Sequence, residues 1–151
     1  MDTRELVIRA PFAGRVLELR EVPDDVFSAA VLGPGLAIWP HLVKVPVIAP
    51  VGGDITAWHA HACAISPGDD APAILVHLGL DTVALQGRGF SWHVKKAARV
   101  AQGQLMCAWD LSQIGNYLPV TPVVAMGKVD ITRLADDEIE AGEALFSVAT
   151  S

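Results

Sequence analysis

The sequence predicts a small, nearly all-β protein, and three observations carry that expectation. First, Val, Ile and Leu come in short runs broken by Pro and Gly at close intervals, the punctuation of many short strands. Second, helical patterns are brief. Third, the chain echoes itself: Ala10-Pro11-Phe12-Ala13-Gly14-Arg15-Val16 recurs as Ala49-Pro50-Val51-Gly52-Gly53-Asp54-Ile55, an offset of 50 − 11 = 39 residues. Val100-Ala101-Gln102-Gly103 recurs as Ile139-Glu140-Ala141-Gly142 at the same offset. Two interleaved copies of one short β unit, each needing the other to bury its inner face, would produce both echoes.

In chain order, strands are expected in LVIRAP (6–11), RVLEL (15–19), LAIWP (36–40), VPVIAP (45–50), AILVHLGL (73–80) and TPVVAM (121–126). Single helical turns are expected at PDDVFSAA (23–30), SWHVKKAA (91–98), DLSQI (110–114) and ITRLADDE (131–138), the first with Asp24 or Asp25 as its cap.

With 151 residues, 52% of them hydrophobic, the chain suits one compact domain over residues 1–151. A formal charge of −6, from 11 basic and 17 acidic residues, leaves no basic patch for nucleic acid or anionic lipid and favours basic protein surfaces as partners. The N-terminal MDTRELVIRA carries charges where a signal peptide needs an apolar core, and no apolar run is long enough to span a membrane. A cytoplasmic protein without direct membrane insertion is expected. Cys63 and Cys107 lack CxxC spacing and are expected to be reduced, Cys107 in the core.

The richest stretch is LVHLGLDTV, residues 75–83, where His77 sits in an apolar strand-like run that ends in Gly79 and Asp81. An isolated histidine there would ordinarily be a satisfied core residue. His61, however, lies one strand upstream in WHAHACAI, and a hairpin could bring both imidazoles to one face. Two facing imidazoles suggest phosphate chemistry or a metal. His59, His61 and Cys63 would also share one face if their strand were regular, an arrangement suggestive of zinc.

The order of APFAGRV, EVPDDVF, GPGLAI, VIAPVGGDI, HACAI, LVHLGLDTVALQGRGF, TPVV and IEAGEALF resembles the glucose-type enzyme IIA of the bacterial phosphoenolpyruvate-dependent sugar phosphotransferase system. The most specific piece is LVHLGLDTV followed by the Gly-x-Gly-Phe of residues 87–90. The resemblance implies a flattened β-sandwich or barrel with a duplicated, barrel-sandwich hybrid motif. It also implies that His77 takes a phosphoryl group from the carrier HPr and passes it to a cysteine of a sugar-specific IIB domain. His61 would support the phosphoryl group without carrying it, so that its loss spares acceptance more than donation. Gly79 would allow close backbone approach, and Asp81, read as lying in the same extended register, would contact a basic partner or orient a ring. Val83, Phe27 and Asp24 would belong to the partner surface, with Trp58 as a further aromatic wall. The chain departs from the family pattern at Arg88, where an acidic residue is usual, and at ARVAQGQ, which lacks the usual Gly-Asp.

Two other readings share these residues. His77 and Asp81 form an HxxxD, and His59 and His61 an HxH, as in zinc peptidases of the LytM type; His61, His77 and Asp81 would then be metal ligands. Against this, HxxxD precedes HxH in those peptidases. Zinc held between His61 and His77 with a partner's ligand is a milder form of the expectation. The other reading is a regulatory module, whose phosphorylation state is sensed by target proteins through added charge. The full length and free termini favour a standalone protein over a fusion to IIB and IIC.

Overall fold

The structure is a computed structural model and describes residues 4–150. Its strands are β1 (Arg4–Arg9), β2 (Gly14–Glu18), β3 (Gly35–Pro40), β4 (Lys44–Ile48), β5 (Gly53–His59), β6 (Ala62–Ser66), β7 (Ile74–His77), β8 (Phe90–Trp92), β9 (Arg99–Val100), β10 (Leu105–Asp110), β11 (Thr121–Ala125), β12 (Ile131–Arg133), β13 (Glu138–Ile139) and β14 (Ala144–Thr150). One short α-helix, α1 (Asp25–Ser28), and 3₁₀ turns at Leu19–Glu21, Thr82–Leu85 and Leu111–Gln113 complete it. The chain is nearly all β, as the run-and-break pattern predicts.

Eight strands form a sheet in the order β13-β2-β3-β11-β7-β6-β5-β9, and two three-stranded sheets, β1-β14-β12 and β4-β10-β8, accompany it. The sheets do not close, so of the two expected forms the sandwich holds and the barrel does not. The 39-residue echo is a real duplication. Gly14 of β2 pairs with Ile139 of β13, and Gly53 of β5 pairs with Val100 of β9, so each partner is displaced by the same 39 residues (53 − 14 and 139 − 100). Loop bonds repeat the pattern: Gly142 N donates to Ala10 O and Gly103 N to Ala49 O, both at 2.9 Å. The copies interlock directly where Arg9 N donates to Pro50 O and Ile48 N to Pro11 O.

Alternation along the large sheet separates two apolar clusters. Leu36, Ile38, Ile74 and Val76 face the main core, which also holds Ile8 of β1, Val45 and Val47 of β4, Met106 and Trp109 of β10, and Phe146 of β14. Ala37, Val124 and Leu75 face the other way, into a smaller cluster with Leu19, Phe27, Leu80 and Val120. The Leu19–Glu21 turn and α1 therefore cover the outer face of the sheet. His77, two residues after Leu75, belongs to that outer face.

Two expected helical turns are absent. SWHVKKAA begins in β8, which pairs Trp92 with Cys107 and Phe90 with Trp109. Ala97 then adopts φ +73°, outside any right-handed helix. ITRLADDE begins in β12, where β-branched Ile131 and Thr132 pair with Val148 and Ser147 of β14. Tertiary pairing overrides the weak helical spacing in both segments. The turns at 110–114 and 23–30 do form: the carboxylate of Asp110 accepts from Ser112 N, and that of Asp24 from Val26 N and Phe27 N.

Candidate functional site

β7 ends at His77, and the β5–β6 hairpin turn, Ala60-His61, is tied to that end. Leu78 N donates to His61 O at 2.8 Å, and the Trp92 indole Nε1 donates to Ala60 O at 2.7 Å. Ala62 pairs opposite His77. The His61 and His77 imidazoles meet edge-on, with centroids 5.0 Å apart and planes 76° apart. The antiparallel pairing of β6 with β7 therefore does what the sequence suggests: it brings both imidazoles to one place.

The tautomer of His77 follows from its partner. Nδ1 lies 2.7 Å from the carbonyl oxygen of Gly79, which can only accept, so Nδ1 carries the proton. Nε2 is left with a free lone pair. Burial lowers the pKa of His77 below 6.5, opposed by the Gly79 hydrogen bond and by the carboxylates of Asp24 and Asp81, while His59 adds to the lowering. His61 is pushed down to about 4, first by burial and then by His77 and His59. Near pH 7 the site holds two neutral rings, one of them oriented with its Nε2 lone pair free.

Gly79 makes that orientation possible. Its φ is +81°, and a Cβ there would lie 2.6 Å from Thr82 Cγ2 and 2.8 Å from Leu118 O. The expected close approach is thus backbone to the protein's own 82 and 118 segments. Leu80 N donates to Leu118 O at 2.9 Å, and the buried Thr82 hydroxyl donates to Leu78 O at 2.6 Å, which locks the turn after the histidine.

Phe27 is both core and site: it is 6% exposed, and its ring centroid stands 5.0 Å from that of His77. Burying such a ring contributes about 1.5–3 kcal/mol, so α1 is held firmly beside the histidine. Asp24 caps α1 and acts electrostatically on His77. Val83 is 63% exposed in the 3₁₀ turn that follows, an apolar side chain facing solvent. Asp81 is exposed, but the expected extended register is wrong: it sits at φ +60° ahead of that turn. Aspartate tolerates this left-handed conformation better than most residues.

Trp58 is placed elsewhere. It pairs with Cys63 across the hairpin, packs edge-on against Trp92 at 5.9 Å, and buries an Nε1 without a hydrogen-bond partner. The shared face of His59, His61 and Cys63 does not hold as a strand face either: the two-residue turn at 60–61 reverses the chain, so His59 and His61 stay close while Cys63 turns into the main core. Cys63 is buried in the main core at 1% exposure, and Cys107 is buried as expected; burial pushes both thiols up to about 12. Among the described residues no three His, Cys, Asp or Glu side chains converge on a point where a metal could be held, so the three-ligand zinc site of the hydrolase reading is missing. Sequence reasoning missed Trp92, whose indole acts on a turn 32 residues away with no local signal. It also missed Thr82, whose place four residues after Leu78 was a readable cue.

Against known proteins, a model of the family described as phosphoenolpyruvate-dependent sugar phosphotransferase system, EIIA 1, matches residues 6–131. The chain belongs to this family. It is 42% identical over 122 residues to the β-glucoside-specific EIIBCA component of the phosphotransferase system of Bacillus subtilis (strain 168), a match covering 78% of the chain but 20% of that protein. The chain therefore spans about a fifth of the length of that relative. The glucose permease IIA of Mycoplasma capricolum has the same fold, with a TM-score of 0.85, 30% identity and coverage of 95% of this chain and 96% of that one. EIIA domains are phosphocarriers of the sugar phosphotransferase system, and that role is shared by this chain. Among the described residues no helix is long and apolar enough to cross a membrane.

Proposed function

We propose that this EIIA domain accepts a phosphoryl group on Nε2 of His77 from the phosphohistidine of HPr and donates it to a cysteine of a sugar-specific IIB domain, in the cytoplasm. In acceptance, the Nε2 lone pair attacks phosphorus as the bond from phosphorus to the HPr imidazole breaks, and the electron pair of that bond returns to the HPr ring. In donation, a cysteine thiolate forms the new bond to phosphorus and the pair returns to Nε2. No proton need leave Nδ1 in either direction, because the Gly79 carbonyl keeps it.

The observation that carries this reading is the Nδ1–H bond to Gly79, which points Nε2 out as the free nucleophile. Phosphoryl transfer asks chiefly for positioning and charge stabilisation. His61, neutral and edge-on, supplies a donor for a phosphoryl oxygen, and Phe27 excludes water from one side. Asp24, Asp81 and the exposed Val26 and Val83 provide a rim of carboxylates and apolar side chains for a basic partner. Two imidazoles would bind zinc only weakly without a ligand from that partner.

The test is intact mass after incubation with phosphoenolpyruvate, enzyme I and HPr. One acid-labile phosphate is expected on the wild type and none on His77→Ala. An adduct that survives His77→Ala, or no adduct on the wild type with an active HPr, overturns the assignment.

A further inference from the structure

His59 closes β5 directly before the Ala60-His61 turn, is exposed, and has no part in the relay as described above. Its imidazole nevertheless stacks on that of His61, with centroids 5.9 Å apart and planes 30° apart. His61 and His77 in turn meet with their planes nearly perpendicular, at 76°. The ring of His61 is thus bounded by a stacked imidazole on one side and by the nearly perpendicular ring of His77 on another.

The backbone of this turn is fixed by the bonds from Leu78 to His61 O and from Trp92 to Ala60 O. Those bonds fix the Cα of His61 and leave its two side-chain torsions free. Among the described residues no side-chain hydrogen bond restrains the His61 ring, in contrast to His77, whose Nδ1 is tied to Gly79. Aromatic packing against His77 and His59 remains, His77 being itself held by Gly79, and aromatic pairs at such separations prefer defined relative orientations.

Resting on the relay reading, we propose that His59 is a positioning residue: its ring stacks on His61 and holds the edge of that imidazole toward the phosphoryl group on His77. His61 must meet the phosphoryl oxygens with an aligned N–H, so a freely rotating ring reaches the productive orientation only part of the time. The effect falls on donation to IIB, the step that His61 supports.

The test compares wild type, His59→Ala, His59→Phe, His61→Gln and the double variant His59→Ala/His61→Gln in phosphoryl transfer from purified phosphoprotein to IIB. His59→Ala is expected to lower the maximal donation rate about three- to tenfold with the KM for IIB unchanged and acceptance from HPr within about twofold. His59→Phe, which keeps a stacking face, is expected to restore the rate, and His59→Ala is expected to add nothing once His61 is Gln. Ring-proton contacts between His61 and His77, read by NMR, are expected to weaken in His59→Ala and return in His59→Phe. The inference is overturned if His59→Ala donates like wild type, if His59→Phe is as slow as His59→Ala, or if the defect is a raised KM that adds to His61→Gln, which would mark a partner contact. A wild type that takes no phosphate from HPr overturns the relay reading itself and this inference with it, an outcome distinct from a phosphorylated wild type indifferent to residue 59.

Discussion

Gly79→Ala is the substitution on which the geometry of the site can be judged most sharply. The backbone at φ +81° costs an L-residue about 1–2 kcal/mol. The new methyl group would lie 2.6 Å from Thr82 Cγ2 and 2.8 Å from Leu118 O. Thr82 cannot swing away, because its hydroxyl is bonded to Leu78 O, and Leu118 O is held by Leu80 N. Overpacking of this kind adds about 1–3 kcal/mol, for a total of about 2–5 kcal/mol. Gly103→Ala is the matched control: its φ is +88° and no atom lies within 4 Å, so only the backbone cost of about 1–2 kcal/mol applies. Urea unfolding reads both, and with a slope of about 2 kcal/mol per molar Gly79→Ala should lower the midpoint by about 1–2.5 M. At low urea the variant should also take phosphate more slowly, since displacing the Gly79 carbonyl frees the His77 ring. Equal midpoint shifts for the two variants, with normal phosphorylation of Gly79→Ala, would refute the claim that this turn sets the nucleophile.

Three further outcomes are expected. Trp92→Phe removes the donor to Ala60 O and should destabilise the protein by about 1–3 kcal/mol while slowing donation more than acceptance, measured by urea unfolding and by transfer to IIB. The lowered pKa values of His61 and His77 mean that the folded protein binds fewer protons than the unfolded chain below pH 6.5. Stability should thus be full above 6.5 and decline as the pH falls toward about 4, and His61→Gln should flatten that decline in midpoints taken at pH 7, 5.5 and 4.5; parallel declines would count against it. Asp24→Asn keeps the cap of α1, because the two side chains cap almost equally well, but loses the charge. Its midpoint should stay within about 0.5 kcal/mol of wild type while the KM for phospho-HPr rises a few-fold at low salt and converges with wild type at high salt.

The legible parts of the molecule were those written in local chemistry. Pro and Gly punctuation placed β2 to β4, β7 and β11, and the 39-residue echo pointed to two interleaved copies of one β unit. His77 and His61 could be joined because a short hairpin was the simplest path between them. What stayed hidden depends on contacts distant in sequence or on single torsions. The segment 91–98 looked helical until β10 claimed its first residues and Ala97 turned left-handed. Asp81 looked extended because nothing in LGLDTV announces a positive φ at an aspartate. The HxHxC spacing misled for a related reason: it assumed a continuous strand where two residues make a turn. Trp58 and Trp92 look alike in sequence and both pack against the main core, yet only Trp92 sends its Nε1 to the turn that carries His61.

The interlocked duplication bears on how the chain is made. β2 of the first copy waits for β13, β5 waits for β9, and β1 waits for β14, so neither half can complete its own sheet. A nascent chain emerging from the ribosome would hold β1, and the edge of β2 that faces away from β3, unpaired until the C-terminal strands are available. Such non-local closure favours slow, all-at-once folding and leaves exposed edges as its hazard. The β2–β3 pair and the β5–β7 meander are locally paired and can form early, and the meander is the piece that carries His61 and His77.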